Sequence, residues 1–341
     1  MISSRRSDRT HFGAVVKVLA LTLFGCASQG SRLADTSAMS GKDAAVELAG
    51  VPFFPQEEFQ CGPAALATVL GAAGYPVTPE ALVPEVYTPG LQGSLQTELL
   101  GAARRRGLLA YVLPPTLDAV TAELVRGRPV LVLQNLALAS LPAWHYAVVI
   151  GADPNAEQVL LRSGVDPRVA ESTGKFMRTW RKADKWAVVI LHPGQLPADP
   201  EPGRYHQAVL GLEASRQYLA AARAWEAALA LWPDDPVALF GLGNALYAQG
   251  DLSGARSAWE RYVQVMPDDP AGLNNLAVAL GELGCARRAL GLARAALSGV
   301  SPADPIFGDV VKTVDDLQPV PPFDDPDFCQ SPGNETRPEG Q

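Results

Sequence analysis

The central part of the chain alternates between segments with helical spacing of apolar residues and short, uninterrupted apolar runs. Helical spacing predicts three helices, over residues 61–73, 94–106 and 117–126. Apolar runs predict five strands, over residues 108–113, 130–134, 145–150, 159–162 and 186–191. Ser94 is the expected N-cap of the second helix. Because helices come first and strands follow, we expect an α+β domain over residues 49–193 with a mainly antiparallel sheet.

Beyond a linker at residues 194–203, the chain repeats itself at a fixed interval. The interval separates Trp225 from Trp259, Pro233 from Pro267, and Gly250 from Gly284, which is 34 residues in each case. Such a period resembles the tetratricopeptide repeat, which implies an all-α solenoid over residues 204–302 and a groove that binds a protein partner. Units 204–235 and 236–269 are clear. A third is weaker, because Ala293 stands where a tryptophan packs.

The amino-terminal residues 1–25 have the order of an export signal, since a basic stretch precedes an apolar run. The run ends in Leu23-Phe24-Gly25-Cys26, which resembles the lipobox of bacterial lipoproteins. This resemblance implies lipidation of Cys26, a membrane anchor, and an exported lipoprotein at the outer membrane that faces the periplasm. The alternative is an ordinary signal peptide with an incidental cysteine. Residues 26–48 are small and polar, so we expect a tether.

Composition narrows the classes of partner. Hydrophobic residues make up 48% of the chain and charged residues 19%, which argues against wholesale disorder and against a multi-span membrane protein. The formal net charge of -8 argues against nucleic acid as a partner. The sequence contains no Cys-x-x-Cys, no His-Glu-x-x-His and no glycine-rich phosphate loop, so we expect no metal and no cofactor.

Cys61 is the candidate nucleophile, because it stands where the first helix of the domain begins. A thiol attacks as the thiolate, and free amides at a helix start stabilise that anion. Gly62 lets a substrate backbone approach, and Pro63 suits a first helical turn. Five residues upstream, Gln56 is placed to direct its amide at an oxyanion.

The general base is expected to be His145. Of the four histidines, the others fall in the export signal, at a domain edge and at the start of the repeats. His145 opens a strand, where a sheet end would hold its ring. Antiparallel counting places residue 145 opposite about residue 163 or 164. The third member is therefore Asp166 or, as the alternative, Ser163, whereas Asp153 lies at the far end of the strand. A carboxylate stabilises imidazolium better, which favours Asp166.

Two motifs together resemble the bacteriocin-processing (double-glycine leader) peptidases, which have a papain-like fold. These motifs are Gln56 with Gln60-Cys61-Gly62-Pro63-Ala64-Ala65-Leu66, and His145-Tyr146-Ala147-Val148-Val149-Ile150-Gly151. The resemblance covers about 140 residues and implies cysteine, histidine and oxyanion roles for Cys61, His145 and Gln56. In that family an aspartate follows in an Asp-Pro on the next strand. Here the strand ends at Gly164, and Asp166-Pro167 lies just beyond it.

Three function classes follow from this sequence. The first is a papain-like cysteine peptidase that acts on exported peptides or proteins, with the repeats docking a substrate or partner. The second is an acyltransferase that uses the same thiol. The third is an inactive scaffold, in which Cys61 is a buried small residue and His145 is structural.

Two cysteines remain after lipidation and catalysis, Cys285 in the third repeat and Cys329 in the tail. The tail, residues 303–341, is acidic and rich in proline, and we expect no core of its own there. An exported protein meets an oxidising compartment, so we expect a disulfide between these cysteines. The alternative is a buried Cys285 and a mobile Cys329.

Overall fold

A computed structural model describes residues 44–56, 60–138, 140–318 and 329. The predicted export signal with Cys26, most of the predicted tether and most of the tail lie outside these residues. In the part of the chain that is described, no helix combines the length and the hydropathy needed to cross a membrane.

Seven strands form one sheet within the described residues. They are β1 (Val46–Glu47), β2 (Leu109–Val112), β3 (Val130–Asn135), β4 (Trp144–Asp153), β5 (Gln158–Ser163), β6 (Asp166–Ser172) and β7 (Ala187–Leu191). Their order is β2-β7-β3-β4-β5-β6, with β1 paired to β4, and each of these pairs is antiparallel. The α+β class with an antiparallel sheet is therefore confirmed. β1 forms at the end of the stretch interpreted as a tether.

Helices cover both faces of this sheet. They are α1 (Cys61–Ala72), α2 (Pro79–Val86), α3 (Gln96–Arg105), α4 (Leu117–Val125) and α5 (Thr173–Arg181). Successive residues of β4 point to opposite faces: Tyr146 and Val148 pack in the core with α1 to α3, whereas Ala147 and Val149 pack in the core with α4 and α5. Burial on both faces explains why the central strands read as uninterrupted apolar runs.

Several elements of this domain escaped the sequence analysis. α2 contains Pro84, and a short 3-10 turn follows at Pro89–Leu91. β6 is largely exposed, so no apolar run marks it, and α5 follows it directly. The expected cap of α3 is wrong, because Leu95 occupies the N-cap position, while the Ser94 hydroxyl is buried without a hydrogen bond among the described residues.

The repeats form six helices in antiparallel pairs. They are α6 (Pro202–Ala214), α7 (Tyr218–Leu231), α8 (Pro236–Ala248), α9 (Leu252–Val265), α10 (Pro270–Glu282) and α11 (Ala286–Ser298). α8 and α10 begin in the same way, with an aspartate side chain that accepts from the backbone, Asp235 from Ala238 and Asp269 from Gly272. The helical repeat region expected from the 34-residue period is confirmed.

The periodic tryptophans are the packing centres of the repeats. Trp225 is 0% exposed and Trp259 is 2% exposed. Each ring lies against a glycine of α8: a β-carbon at Gly241 would overlap the ring of Trp225, and one at Gly243 would overlap the ring of Trp259. The glycines are therefore required for close approach between helices.

The α+β domain and the repeats share one continuous apolar core. Tyr111 of β2 is buried against Tyr205 of α6, with ring centroids 6.4 Å apart. Residues 194–203, interpreted as a linker, are also held in place. The backbone amide of Ala198 donates to Glu123 Oε1 of α4 at 2.6 Å. The connection is therefore part of the packed structure.

The tail begins with a further helix, α12 (Phe307–Asp316), whose Val310 is buried with residues of the repeats. Cys285, the N-cap residue of α11, forms a disulfide with Cys329, with Cα atoms 5.5 Å apart. Arg288 Nη1 donates to the Cys329 carbonyl at 2.7 Å. These contacts attach the described part of the tail to the third repeat.

Gly241→Ala should destabilise the protein by about 1–3 kcal/mol, because the added methyl group overlaps the Trp225 ring. Gly291→Ala is the matched control in α11, since nothing lies within 4 Å of its β-carbon position. The control should gain about 0.5–1 kcal/mol from the better helix propensity of alanine. Urea unfolding of both variants measures the difference. Equal stability of the two variants would contradict the packing described here.

Candidate active site

Cys61 is the first residue of α1. The first amides of a helix have no partner within the helix and remain available to other acceptors. Burial raises the pKa of Cys61, and the backbone N–H groups of Tyr146, Gly62 and Cys61 itself oppose this rise only in part. The stabilisation of the thiolate by the helix start is therefore present, but burial outweighs it in the free protein.

Gly62 has a different role from the one expected. It is buried, and a β-carbon there would overlap the side chain of Ser94 in the segment before α3. Its small size therefore serves packing between α1 and that segment, not the approach of a substrate. The Tyr146 hydroxyl donates to the Ser94 carbonyl at 3.1 Å, which ties the same segment to β4.

His145 is the second residue of β4, and its ring is fixed by the neighbouring strand. Its Nε2 lies 2.8 Å from Ser163 Oγ, at the end of β5. If Nε2 carries the proton, it donates to the serine and leaves Nδ1 as the acceptor for a thiol proton. Ser163 thus occupies the position of the residue that orients the base.

Asp166, favoured from the sequence as this partner, does not reach the ring. It begins β6, one strand further from His145 at the edge of the sheet, where it is exposed. The register of β4 and β5 also shifts between Val149 and Gly151, which the antiparallel count did not foresee. Asp153 pairs with Gln158 at the other end of β4, as the count required.

A buried polar cluster lies on the same face of the sheet as His145. Gln134 of β3 pairs directly with His145 across the strands. Its Nε2 donates to Thr179 Oγ1 at 2.8 Å and to Glu171 Oε2 at 3.2 Å. Lys175 Nζ lies 2.7 Å from the other oxygen of Glu171. Burial lowers the pKa of His145, and the carboxylate of Glu171 raises it in part.

Gln56 connects the strands that carry His145 and Ser163. Its Nε2 donates to the Tyr146 carbonyl at 3.1 Å, and its Oε1 accepts from the Gly164 amide at 3.0 Å. Its backbone amide also donates to the Gly164 carbonyl at 2.9 Å. Gly164 has a φ of +62°, a left-handed turn conformation that glycine adopts without strain. Gln56 therefore holds the site together, and one of its two amide hydrogens is engaged in doing so.

Burial acts on the pKa values of the thiol and the imidazole in opposite directions. Burial shifts the pKa of Cys61 up and the pKa of His145 down, and each shift favours the uncharged form. Among the described residues, no hydrogen bond joins the Cys61 sulfur to the His145 ring. The backbone of Tyr146 is the part of β4 that contacts the sulfur.

Glu171, Gln134 and Thr179 were missed from the sequence. Gln134 could have been found, because it is a polar residue that ends an apolar strand directly opposite a candidate base. Glu171 and Thr179 lie on elements that gave no signal. In the described residues, no group of three or more histidine, cysteine, aspartate or glutamate side chains is placed to hold a metal ion.

Family comparisons divide the chain as the structure does. Residues 48–188 match the Peptidase_C39 like family, and residues 207–272 match the Tetratricopeptide repeat. The chain therefore contains a Peptidase_C39-like domain followed by tetratricopeptide-repeat helices. Comparison with curated proteins finds no match.

Solved structures resemble the two parts separately. A structure from Bacillus anthracis, described as a C39-like peptidase, is 20% identical over 44% of this chain and 98% of its own, with a TM-score of 0.37. The peptidase domain of Streptococcus ComA, a bi-functional ABC transporter in a quorum-sensing pathway, is 20% identical over 41% and 98%, with a TM-score of 0.33. The Yersinia enterocolitica type III secretion translocator chaperone SycD is 16% identical over 34% and 81%, with a TM-score of 0.32.

Glu171→Gln should lower the pKa of His145 further, because it removes the negative charge that partly offsets burial. The ring then stays neutral to a lower pH than in the wild type. An NMR titration of the His145 ring measures the midpoint. Asp166→Asn is the control and should leave the midpoint unchanged, since Asp166 is exposed and does not contact the ring. A midpoint that rises in Glu171→Gln would show that Glu171 does not act on His145 in this way.

Proposed function

We propose that the chain is a cell-envelope cysteine peptidase that cleaves exported peptides or proteins through Cys61 and His145. The observation that carries the proposal is the meeting of the start of α1 with β4: the Cys61 sulfur contacts the backbone of Tyr146, and the preceding residue, His145, contacts Ser163 at the end of β5. The match of residues 48–188 to the Peptidase_C39 like family supports the same class of enzyme.

The chemistry follows from the order of the groups. When a substrate binds, His145 accepts the Cys61 proton, and the thiolate attacks the scissile carbonyl carbon. The remaining amide hydrogen of Gln56 and the backbone N–H of Cys61 stabilise the oxyanion. The amine leaves with a proton from His145, and water then hydrolyses the thioester. Ser163 holds the imidazole throughout.

Because burial raises the pKa of Cys61 and lowers that of His145, it favours the uncharged form of both groups, and in this proposal the ion pair forms when a substrate binds. A small movement of the His145 ring toward the sulfur is part of the proposal. Binding of a substrate would supply it by displacing water and closing the gap between the two groups.

Exposed apolar side chains in the loop before His145 and in the turn after Ser163 suit an extended polypeptide. The loop from β3 to β4 carries Leu138 and Leu141, which are 69% and 75% exposed, and Trp144 next to the base is 54% exposed. Val165, in the turn after Ser163, is 73% exposed. A substrate with apolar residues near the scissile bond would bury these side chains.

A catalytically inactive scaffold is the second candidate. It is favoured by the missing Cys61–His145 hydrogen bond and by the absence of a carboxylate on Nε2 of the ring among the described residues. In either case the repeats would dock a protein or peptide partner, as repeats of this kind do. Cys26 would carry the lipid that holds the protein on the outer membrane, facing the periplasm.

The peptidase proposal is tested by turnover of peptide substrates together with labelling by a cysteine-directed peptidyl probe. Cys61→Ala and His145→Ala should each abolish turnover, and Gln56→Ala should lose about 10²–10³-fold in kcat. Ser163→Ala should impair turnover more than Asp166→Asn, because Ser163 contacts the base. The probe should modify Cys61 while His145 is intact.

Thermal unfolding provides the control: Cys61→Ala, His145→Ala and Asp166→Asn should melt close to the wild type. Gln56→Ala should melt lower, because it removes the side-chain hydrogen bonds to Tyr146 and Gly164, so its kcat is compared below its own melting transition. Full turnover in Cys61→Ala would exclude this mechanism. If the probe labels Cys61 equally well in the wild type and in His145→Ala, and neither protein turns over a substrate, the result would favour the inactive scaffold.

The anchor is tested separately by fractionation of cells. Cys26→Ser should move the protein from the membrane fraction to the soluble periplasmic fraction, because the acyl chains would be lost. Cys329→Ser is the control, since it leaves the amino terminus unchanged. Retention of Cys26→Ser in the membrane fraction would contradict lipidation at this position.

A further inference from the structure

A cleft of about 280 Å³ lies between the α+β domain and the first helix of the repeats. The residues that line it come from α3, β2 and α6: Arg104, Ala110, Val112, Gly203, Arg204, Gln207 and Ala208. None of these seven residues is acidic, and two are arginines. Because one water occupies about 30 Å³ of liquid, the cleft has room for a small ligand.

Arg104 is the unusual member of this lining. Its guanidinium lies on the backbone of α6, where a β-carbon at Gly211 would overlap it. Its Nε is buried without a hydrogen bond, and no hydrogen bond or ion pair joins the guanidinium to any other described residue. The neighbouring Arg105 differs, because it is paired with Glu85 at 2.9 Å.

An arginine remains charged at neutral pH, so the unpaired guanidinium cannot reduce its burial cost by losing a proton. Leaving a partly buried charge without a partner is unfavourable, and such groups are normally paired. The second arginine, Arg204, is already engaged, since its Nε binds Glu201 Oε2 at 2.8 Å. Within the described part of the chain, the cleft therefore holds one guanidinium, that of Arg104, without a counterion.

Further hydrogen-bond groups border the same cleft. β2 is an edge strand of the sheet and pairs only with β7 among the described strands. Just after β2, the Leu113 amide donates to the carbonyl of Ala187 in β7 at 2.9 Å. By the alternation of an antiparallel ladder, Ala110 and Val112 then direct their backbone groups away from β7. Gly203 adds the first turn of α6, where a helix presents free amides.

We propose that this cleft is an oxyanion-binding site, in which Arg104 binds a carboxylate or phosphate group with a bidentate pair of hydrogen bonds. The edge of β2 and the start of α6 supply further donors. A ligand bound in the cleft would join the α+β domain to the repeats. Arg104 belongs to the α+β domain, and Gly203 and Gln207 belong to the first helix of the repeats. The carboxylate of a peptide end and free inorganic phosphate share this chemistry.

Thermal unfolding of the full chain, with inorganic phosphate added at constant ionic strength, tests the site. The wild-type melting temperature should rise with phosphate, as it does for any ligand that binds the folded state. Arg104→Met should lose this rise, and Arg104→Lys should weaken phosphate binding by about tenfold, because the planar fork is lost. Arg105→Met is the matched control on the same helix and should keep the full response.

Gln207→Glu gives a second, independent test at an exposed position. Its carboxylate should pair with Arg104, raise the melting temperature without phosphate and abolish the response to phosphate. A short peptide with a free carboxyl terminus, compared with the same peptide as an amide, distinguishes the two sources of the anion. Binding of the acid form alone assigns a peptide end, and binding of phosphate alone assigns a free anion. An equal phosphate response in wild type, Arg104→Met and Gln207→Glu would overturn the proposal.

Discussion

The pairing of β4 with β3 on one side and with β5 on the other is the interaction on which the candidate site depends. It places Gln134 opposite His145 and brings Ser163 to the outer nitrogen of the ring. The next residue of the same strand, Tyr146, packs against α1, and its backbone contacts the thiol. The residue that contacts the thiol and the candidate base are therefore neighbours in β4. A slip of one residue in either ladder would exchange these faces and separate the groups.

Sequence patterns located the parts of this site that have strong local signals. The apolar strands, the helix that starts at Cys61 and the 34-residue period all depend on regular burial, which hydrophobic spacing records directly. Asp166 was preferred over Ser163 for its chemistry, but the shift in register after Val149 and the exposed edge position of β6 are decided by tertiary pairing. Glu171 influences the pKa of His145 from another strand of the sheet, and no local sequence pattern predicts such a contact.

The balance of charge inside the site follows from burial. Desolvation dominates the pKa of both Cys61 and His145, and the nearby amides and the carboxylate of Glu171 only moderate it. A peptidase of the proposed kind would keep a poorly reactive thiol until a substrate completed the site. The same burial would protect the thiol in an oxidising compartment, because the thiolate is the form that oxidises and exchanges.

The disulfide between Cys285 and Cys329 closes a covalent loop with a sequence separation of 44 residues. A single cut of the backbone anywhere inside that loop would leave the two products joined through sulfur. The fragment with the carboxyl terminus would therefore stay attached to the third repeat after such a nick, and it would leave the protein only when the bond was reduced. Proteases in the surroundings could open this part of the chain without shortening the molecule.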